Sequence, residues 1–115
     1  MYANEKQIET SILDYLNSLR GCFAFKIHTG GIYDPKTKRL RTLANKHQHK
    51  GTSDIVGIHK GKFFAMEVKR PKTEISSKTY ATKDQKLFIK RIIDNGGTAG
   101  VVRSVRDAVL FLENL

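Results

Sequence analysis

Gly51-Thr52-Ser53-Asp54, followed after a short apolar stretch by Glu67-Val68-Lys69, is where this chain spaces residues that could do chemistry. Residues 54–59 and 62–69 read as two strands around Lys60-Gly61, a two-residue turn in which glycine supplies positive φ. Such a turn pairs His59 with Lys62, and counting outward sets Asp54 opposite Glu67. Opposed residues on antiparallel strands share a face, with Cβ atoms about 5 Å apart. Side chains alternate along a strand, so Lys69 joins that face and Val68 points away. Two carboxylates that close repel each other, and a divalent cation between them removes the penalty. Hard oxygen ligands suit Mg²⁺ or Mn²⁺, which keep several waters and also bind phosphate oxygens. The backbone carbonyl of Val68, between the two key side chains, offers a further oxygen. Lys69 would orient or deprotonate an attacking water, or stabilise charge developing on a phosphate. The chemistry is metal-assisted phosphodiester hydrolysis; the plain alternative is an ordinary cross-strand ion pair at a hairpin end.

The elements that must position these residues follow from periodicity and caps. A helix is predicted over 4–20, with Asn4 as N-cap, Gln7 at its third position and an apolar stripe of Ile8, Ile12, Leu13, Tyr15, Leu16 and Leu19; Gly21 ends it. Residues 22–28 read as a strand, and the 54–69 hairpin, apolar on both faces, as central strands covered on both sides. Thr82-x-x-Gln85 is a capping box opening a second helix with Leu87, Phe88, Ile89, Ile92 and Ile93, stopped by Asn95-Gly96-Gly97. A strand over 98–103 and a last helix begun by Ser104 and Asp107 complete an α-β-β-β-α-β-α order in one domain, residues 1–115. Neither repeats nor low-complexity tracts interrupt it.

At 115 residues with a formal charge of +10, the chain is expected to meet a polyanion. Residues 29–53 are long for a bare loop. They hold a turn at Asp34-Pro35-Lys36-Thr37-Lys38, hence a small hairpin, and the cations Lys36, Lys38, Arg39, Arg41, Lys46 and Lys50. A basic arm leading into Asp54 suits a phosphate backbone, so these six are candidate DNA-binding residues; singly, each also reads as a solvated surface charge. His47-Gln48-His49 is weak as a metal motif, and Gly30-Gly31 lacks the Gly-Lys-Ser/Thr of a P-loop. The lone Cys22 reads as a reduced core residue. No apolar run is long enough to span a membrane and no signal peptide opens the chain, so a cytoplasmic setting without a membrane role is expected.

Taken in order, Ile8-Glu9 on a first helix, Gly51-x-x-Asp54, Glu67-Val68-Lys69 and Thr82-x-x-Gln85 on a second helix resemble the PD-(D/E)XK nuclease superfamily, and within it the VRR-NUC domains, especially small stand-alone versions found in phages. The resemblance spans nearly the whole chain. It implies a restriction-endonuclease-like α/β fold: an αβββαβ core whose central mixed sheet is flanked by helices. It further implies a divalent-metal-dependent DNA endonuclease using Mg²⁺ or Mn²⁺, similar to Holliday junction resolvases that act as homodimers on four-way junctions, in an intracellular, phage-type setting. By matching position, Asp54 and Glu67 would bind metal, Lys69 would be the catalytic lysine, Glu9 the first-helix acid that completes the site and a candidate further metal ligand, and Gln85 the supporting glutamine. Glu5, one turn earlier, competes with Glu9, and Gln85 also reads as the capping-box residue. Ser53 departs from the pattern, standing where a proline often precedes the aspartate. Two other readings stay open: a non-catalytic basic nucleic-acid-binding module, and a nuclease for flaps, ends or linear duplex.

Overall fold

The computed structural model describes residues 4–27, 32–41, 49, 51–71 and 80–115, with the backbone alone for 32–34 and 39–41. The first helix, α1 (Glu5–Ser18), begins where Asn4 and Gln7 exchange bonds: the Gln7 N–H donates to Asn4 Oδ1 at 2.9 Å and the Asn4 N–H to Gln7 Oε1 at 3.0 Å. It stops two residues before the expected end, because Leu19 is already extended and Gly21 turns the chain at φ +77°. Strand β1 (Cys22–Lys26) follows, then a separate hairpin of β2 (Ile32–Asp34) and β3 (Arg39–Arg41). Next come β4 (Ile55–His59), β5 (Lys62–Val68), α2 (Lys83–Asp94), β6 (Thr98–Val102) and α3 (Val105–Glu113). The Thr82–Gln85 capping box and the Ser104 cap open α2 and α3 as their sequences suggest.

The main sheet runs β1-β4-β5-β6, antiparallel through the first three strands and parallel between β5 and β6, which α2 connects. This mixed sheet flanked by helices is the α/β architecture expected. Lys60 (φ 49°) and Gly61 (φ 83°) form the two-residue turn, and the register runs from His59↔Lys62 to Ile55↔Met66, as counted from the sequence. β4 begins one residue later than expected and β5 ends one residue earlier, so Asp54 and Lys69 lie just outside them. His28 lies outside the described residues.

Alternation gives the sheet two faces. On one, Ile8, Ile12 and Leu16 of α1 and Ala108 and Leu112 of α3 pack on Ala24, Ile55, Phe64, Met66, Val68 and Val102. Phe64 occupies space that only glycine leaves open: a Cβ on its partner Gly57 would sit 2.7 Å from the ring and 2.6 Å from the Phe23 carbonyl oxygen. On the other face Phe88, Ile89 and Ile92 of α2 cover Val56, Ala65 and Ala99. Here the expectation that the hairpin is covered on both sides needs correction. One helix about 10 Å wide spans roughly two strands set about 4.8 Å apart. α2 sits over β6 and β5, leaving Phe23 (62% exposed), Phe25 (46%), Ile58 (46%) and Phe63 (45%) uncovered on the same face.

The edge strand β1 is blocked at its middle. The Asn17 amide donates to the Ala24 carbonyl and accepts from the Ala24 N–H, both at 2.9 Å, so α1 satisfies the backbone that an incoming strand would use. Asn17→Ala is expected to lower unfolding free energy by about 1–3 kcal/mol in urea denaturation, since it orphans both groups at a part-buried position. A loss below a few tenths would mean that water replaces the amide.

Candidate active site

The residues singled out by the hairpin register meet at the end of β4 and β5. Asp54 is tied to both neighbours of its strand: its carbonyl accepts from the Ile27 N–H at 2.8 Å, and its carboxylate Oδ2 accepts from the Val68 N–H at 2.9 Å. Glu67 is almost wholly buried, and its Oε1 accepts from the Gln85 side-chain amide at 2.7 Å. Lys69 Nζ lies 3.9 Å from the same oxygen and is itself buried. Its N–H donates to the Val102 carbonyl at 3.0 Å, which continues the β5–β6 ladder by one bond. Asp54, Glu67, Lys69 and Gln85 are thus brought together on the α2 side of the sheet.

Glu67 carries the electrostatic cost of this arrangement. Its carboxyl is raised from the ordinary 4.5 to about 8: burial is the largest cause, the Asp54 charge and a proton shared with the Asp54 carboxyl add to it, Lys69 opposes the rise, and Glu5 adds a small push upward. The second oxygen, Oε2, is buried, and apart from a proton shared with Asp54 no donor reaches it. A buried acceptor without a donor, beside a second carboxylate, is what a hard cation would complete. The donor set therefore fits Mg²⁺ or Mn²⁺. Among the described residues, however, no three His, Cys, Asp or Glu side chains converge on one point, so a backbone oxygen such as that of Val68 would have to serve as the third protein ligand.

Glu9, the first-helix acid preferred from sequence, is buried and its Oε1 pairs with Lys26 Nζ of β1 at 3.0 Å, while Glu5, its competitor one turn earlier, is the α1 acid whose charge raises Glu67. Of the basic arm, Lys36 and Lys38 are exposed on the β2–β3 turn, and Arg39 and Arg41 bound β3. Lys46 and Lys50 lie outside the described residues. His49 packs edge-on against Phe88, with ring centroids 5.4 Å apart.

Two features of Gly51-x-x-Asp54 had a sequence signal but no visible reason. Gly51 adopts φ +77°, and a Cβ there would fall 2.3 Å from the Asp84 carbonyl carbon and 2.4 Å from the Gln85 nitrogen. Glycine lets this loop press on the first turn of α2, which sets the depth of Gln85. Ser53 is fully buried with its hydroxyl unpartnered.

Solved structures share this fold. One, described as a "VRR_NUC domain protein", superposes with a TM-score of 0.64 over 98% of this chain and 88% of its own, at 16% identity. A second, described as "VRR_NUC domain", gives 0.62 over 96% and 97%, at 17% identity. No family model and no curated protein matches the sequence.

Glu67 makes a testable link to pH. The folded chain holds its proton to about pH 8, while the unfolded carboxyl releases it near 4.5, so between these values the folded state binds more protons. The stability of the metal-free protein should therefore fall as pH rises through that window and level off above it. Urea denaturation in EDTA at a series of pH values would read this, and Glu67→Gln should flatten the slope. An equal slope in the variant would assign it to other groups.

Proposed function

We propose that this chain, which has the VRR_NUC domain fold, is a nuclease that hydrolyses phosphodiester bonds of DNA with the help of a divalent metal. The observation that carries the reading is Oε2 of Glu67, buried beside the Asp54 carboxyl with no N–H group donating to it, while Lys69 Nζ stands 3.9 Å from Oε1 of the same carboxyl. Asp54, Glu67 and the Val68 carbonyl would hold Mg²⁺ or Mn²⁺. When bound, the ion would neutralise charge on the scissile phosphate and acidify the attacking water.

The remaining work falls to the chain's own groups. The Val68 N–H holds one oxygen of Asp54, and the Gln85 amide holds one oxygen of Glu67, so each carboxylate keeps its other oxygen for the site. Lys69, directed toward Glu67, is placed to orient the attacking water and to stabilise negative charge as the phosphate is attacked. Gln85 acts as a positioning residue. Glu5 is the better candidate than Glu9 for an acid contributed by α1. The arm from Lys36 to Lys50 would hold the phosphate backbone, and the net charge of +10 supports a DNA partner.

The finer reading is a structure-selective enzyme that cuts four-way junctions as a homodimer. Support for a second copy comes from the bare sheet face. Phe23, Ile58 and Phe63 form one cross-strand row, with Phe25 beside it. At roughly 200 Å² per aromatic side chain they expose on the order of 400 Å², a patch size that marks interaction surfaces. The four are uncharged, so two copies of a strongly cationic chain could meet there without placing like charges at the centre. Asn17 blocks the β1 edge, which favours packing face to face.

Labelled four-way junction, flap and linear duplex DNA in Mg²⁺ or Mn²⁺ test the activity. Wild type should nick the junction, whereas Asp54→Ala and Lys69→Ala should each lose at least about 100-fold in rate. Metal-independent binding without cutting would favour a binding module, and equal cutting of all three substrates would remove the junction preference. For assembly, light scattering should give twice the chain mass, and Phe23→Asp with Phe63→Asp should return it to monomer. A monomeric wild type would end the dimer reading and leave the chemistry standing.

A further inference from the structure

The chain just beyond β5 is held by a side chain from the β6–α3 junction. β6 ends at Val102 and Ser104 already caps α3, so Lys69 takes the last ladder bond to Val102. One residue on, the Arg70 carbonyl accepts from Arg103 Nη1 at 2.6 Å. Arg103 is in turn fixed by its own backbone: its N–H donates to Asp107 Oδ2 at 2.9 Å, while the Asp107 N–H donates to Ser104 Oγ at 3.1 Å. Lys69 therefore sits between two anchors, a ladder bond at its own nitrogen and a guanidinium bond at its successor's carbonyl.

We infer that Arg103 is a positioning residue for Lys69, clamping the backbone after β5 so that the buried ammonium is held toward Glu67. The inference deepens the proposed nuclease reading, since it takes Lys69 as the working lysine of that site. A strand end held at one point can swing about that point, and the second anchor removes the swing. The cap on α3 ties the clamp to a rigid element. A guanidinium suits the task better than an ammonium, because its planar fork keeps one geometry where a lysine side chain rotates.

Amide hydrogen exchange by NMR reads the clamp without reference to activity. In wild type the Arg103 Nη protons should exchange slowly; exchange as fast as that of an exposed arginine overturns the inference with no variant needed. In Arg103→Ala the Lys69 N–H should exchange about 10-fold faster or more, while the Val68 N–H, held by Asp54, stays protected. Arg103→Lys should show the same loss in smaller measure, and serves if the alanine variant fails to fold. On a junction cut by wild type, kcat should fall about 10- to 100-fold with KM for DNA unchanged. A rise in KM at constant kcat would make Arg103 a DNA contact and overturn the positioning role. If wild type cuts nothing, the nuclease reading fails while the exchange data still decide whether Arg103 holds Lys69.

Discussion

Two carboxyl groups pressed together at the end of a hairpin are the constraint from which the rest of this fold takes its meaning. The Asp54 carboxyl adds its push to that of burial on Glu67, which retains its proton near neutrality. A chain selected for stability alone would separate them or place an apolar pair there, because burying a carboxylate beside another is costly. Instead the surrounding structure supplies the opposite. The Lys60-Gly61 turn locks the register, the Val68 N–H grips Asp54, and Gln85 grips Glu67. The last two each hold one oxygen of a carboxylate and leave the other for something that the protein alone does not provide.

The uneven cover of the sheet follows from the same site. α1 and α3 together close one face with a continuous apolar core, whereas the other has α2 alone. Since α2 begins at the carboxylate end and lies over β5 and β6, its first turn can serve the site only by leaving Phe23 and Phe25 of β1 and Ile58 of β4 bare. The aromatic row exposed there is a consequence of placing the helix where Gln85 is needed. A third helix on that face would have hidden the row, and the chain has none among its described residues. The fold thus exchanges self-sufficiency for a correctly placed glutamine.

What sequence made legible was local. Hairpin register, both capping boxes and the order of elements all come from turn chemistry and periodicity, which operate over a few residues. The pairing of Asp54 with Glu67 was readable for that reason, although it joins two strands. What stayed hidden depends on distance between elements. Glu5 and Glu9 differ by one helical turn, and only the packing of α1 against the sheet decides that Glu9 meets Lys26 while the charge of Glu5 is felt by Glu67. Gly51 was visible as a motif residue, but the backbone of Asp84 that excludes a Cβ comes from 33 positions later in the chain. The bare face escaped because apolar residues on both sides of a strand signal burial without saying by what.

Gln85 shows why one residue type satisfies both local and distant demands. Its side-chain oxygen accepts from the Thr82 N–H at 2.8 Å, closing the cap, and its side-chain nitrogen donates to Glu67 at 2.7 Å. A glutamate would serve the cap equally well, since capping boxes accept either, and would favour the helix dipole more. At this position it would bring a third carboxylate against Glu67 and offer it no donor. A serine or threonine could donate but is too short to span from the helix to Glu67 while still reaching back to Thr82. The amide is the one group that accepts at one end and donates at the other without charge. Local helix chemistry allows two residues here, and the buried acid selects between them.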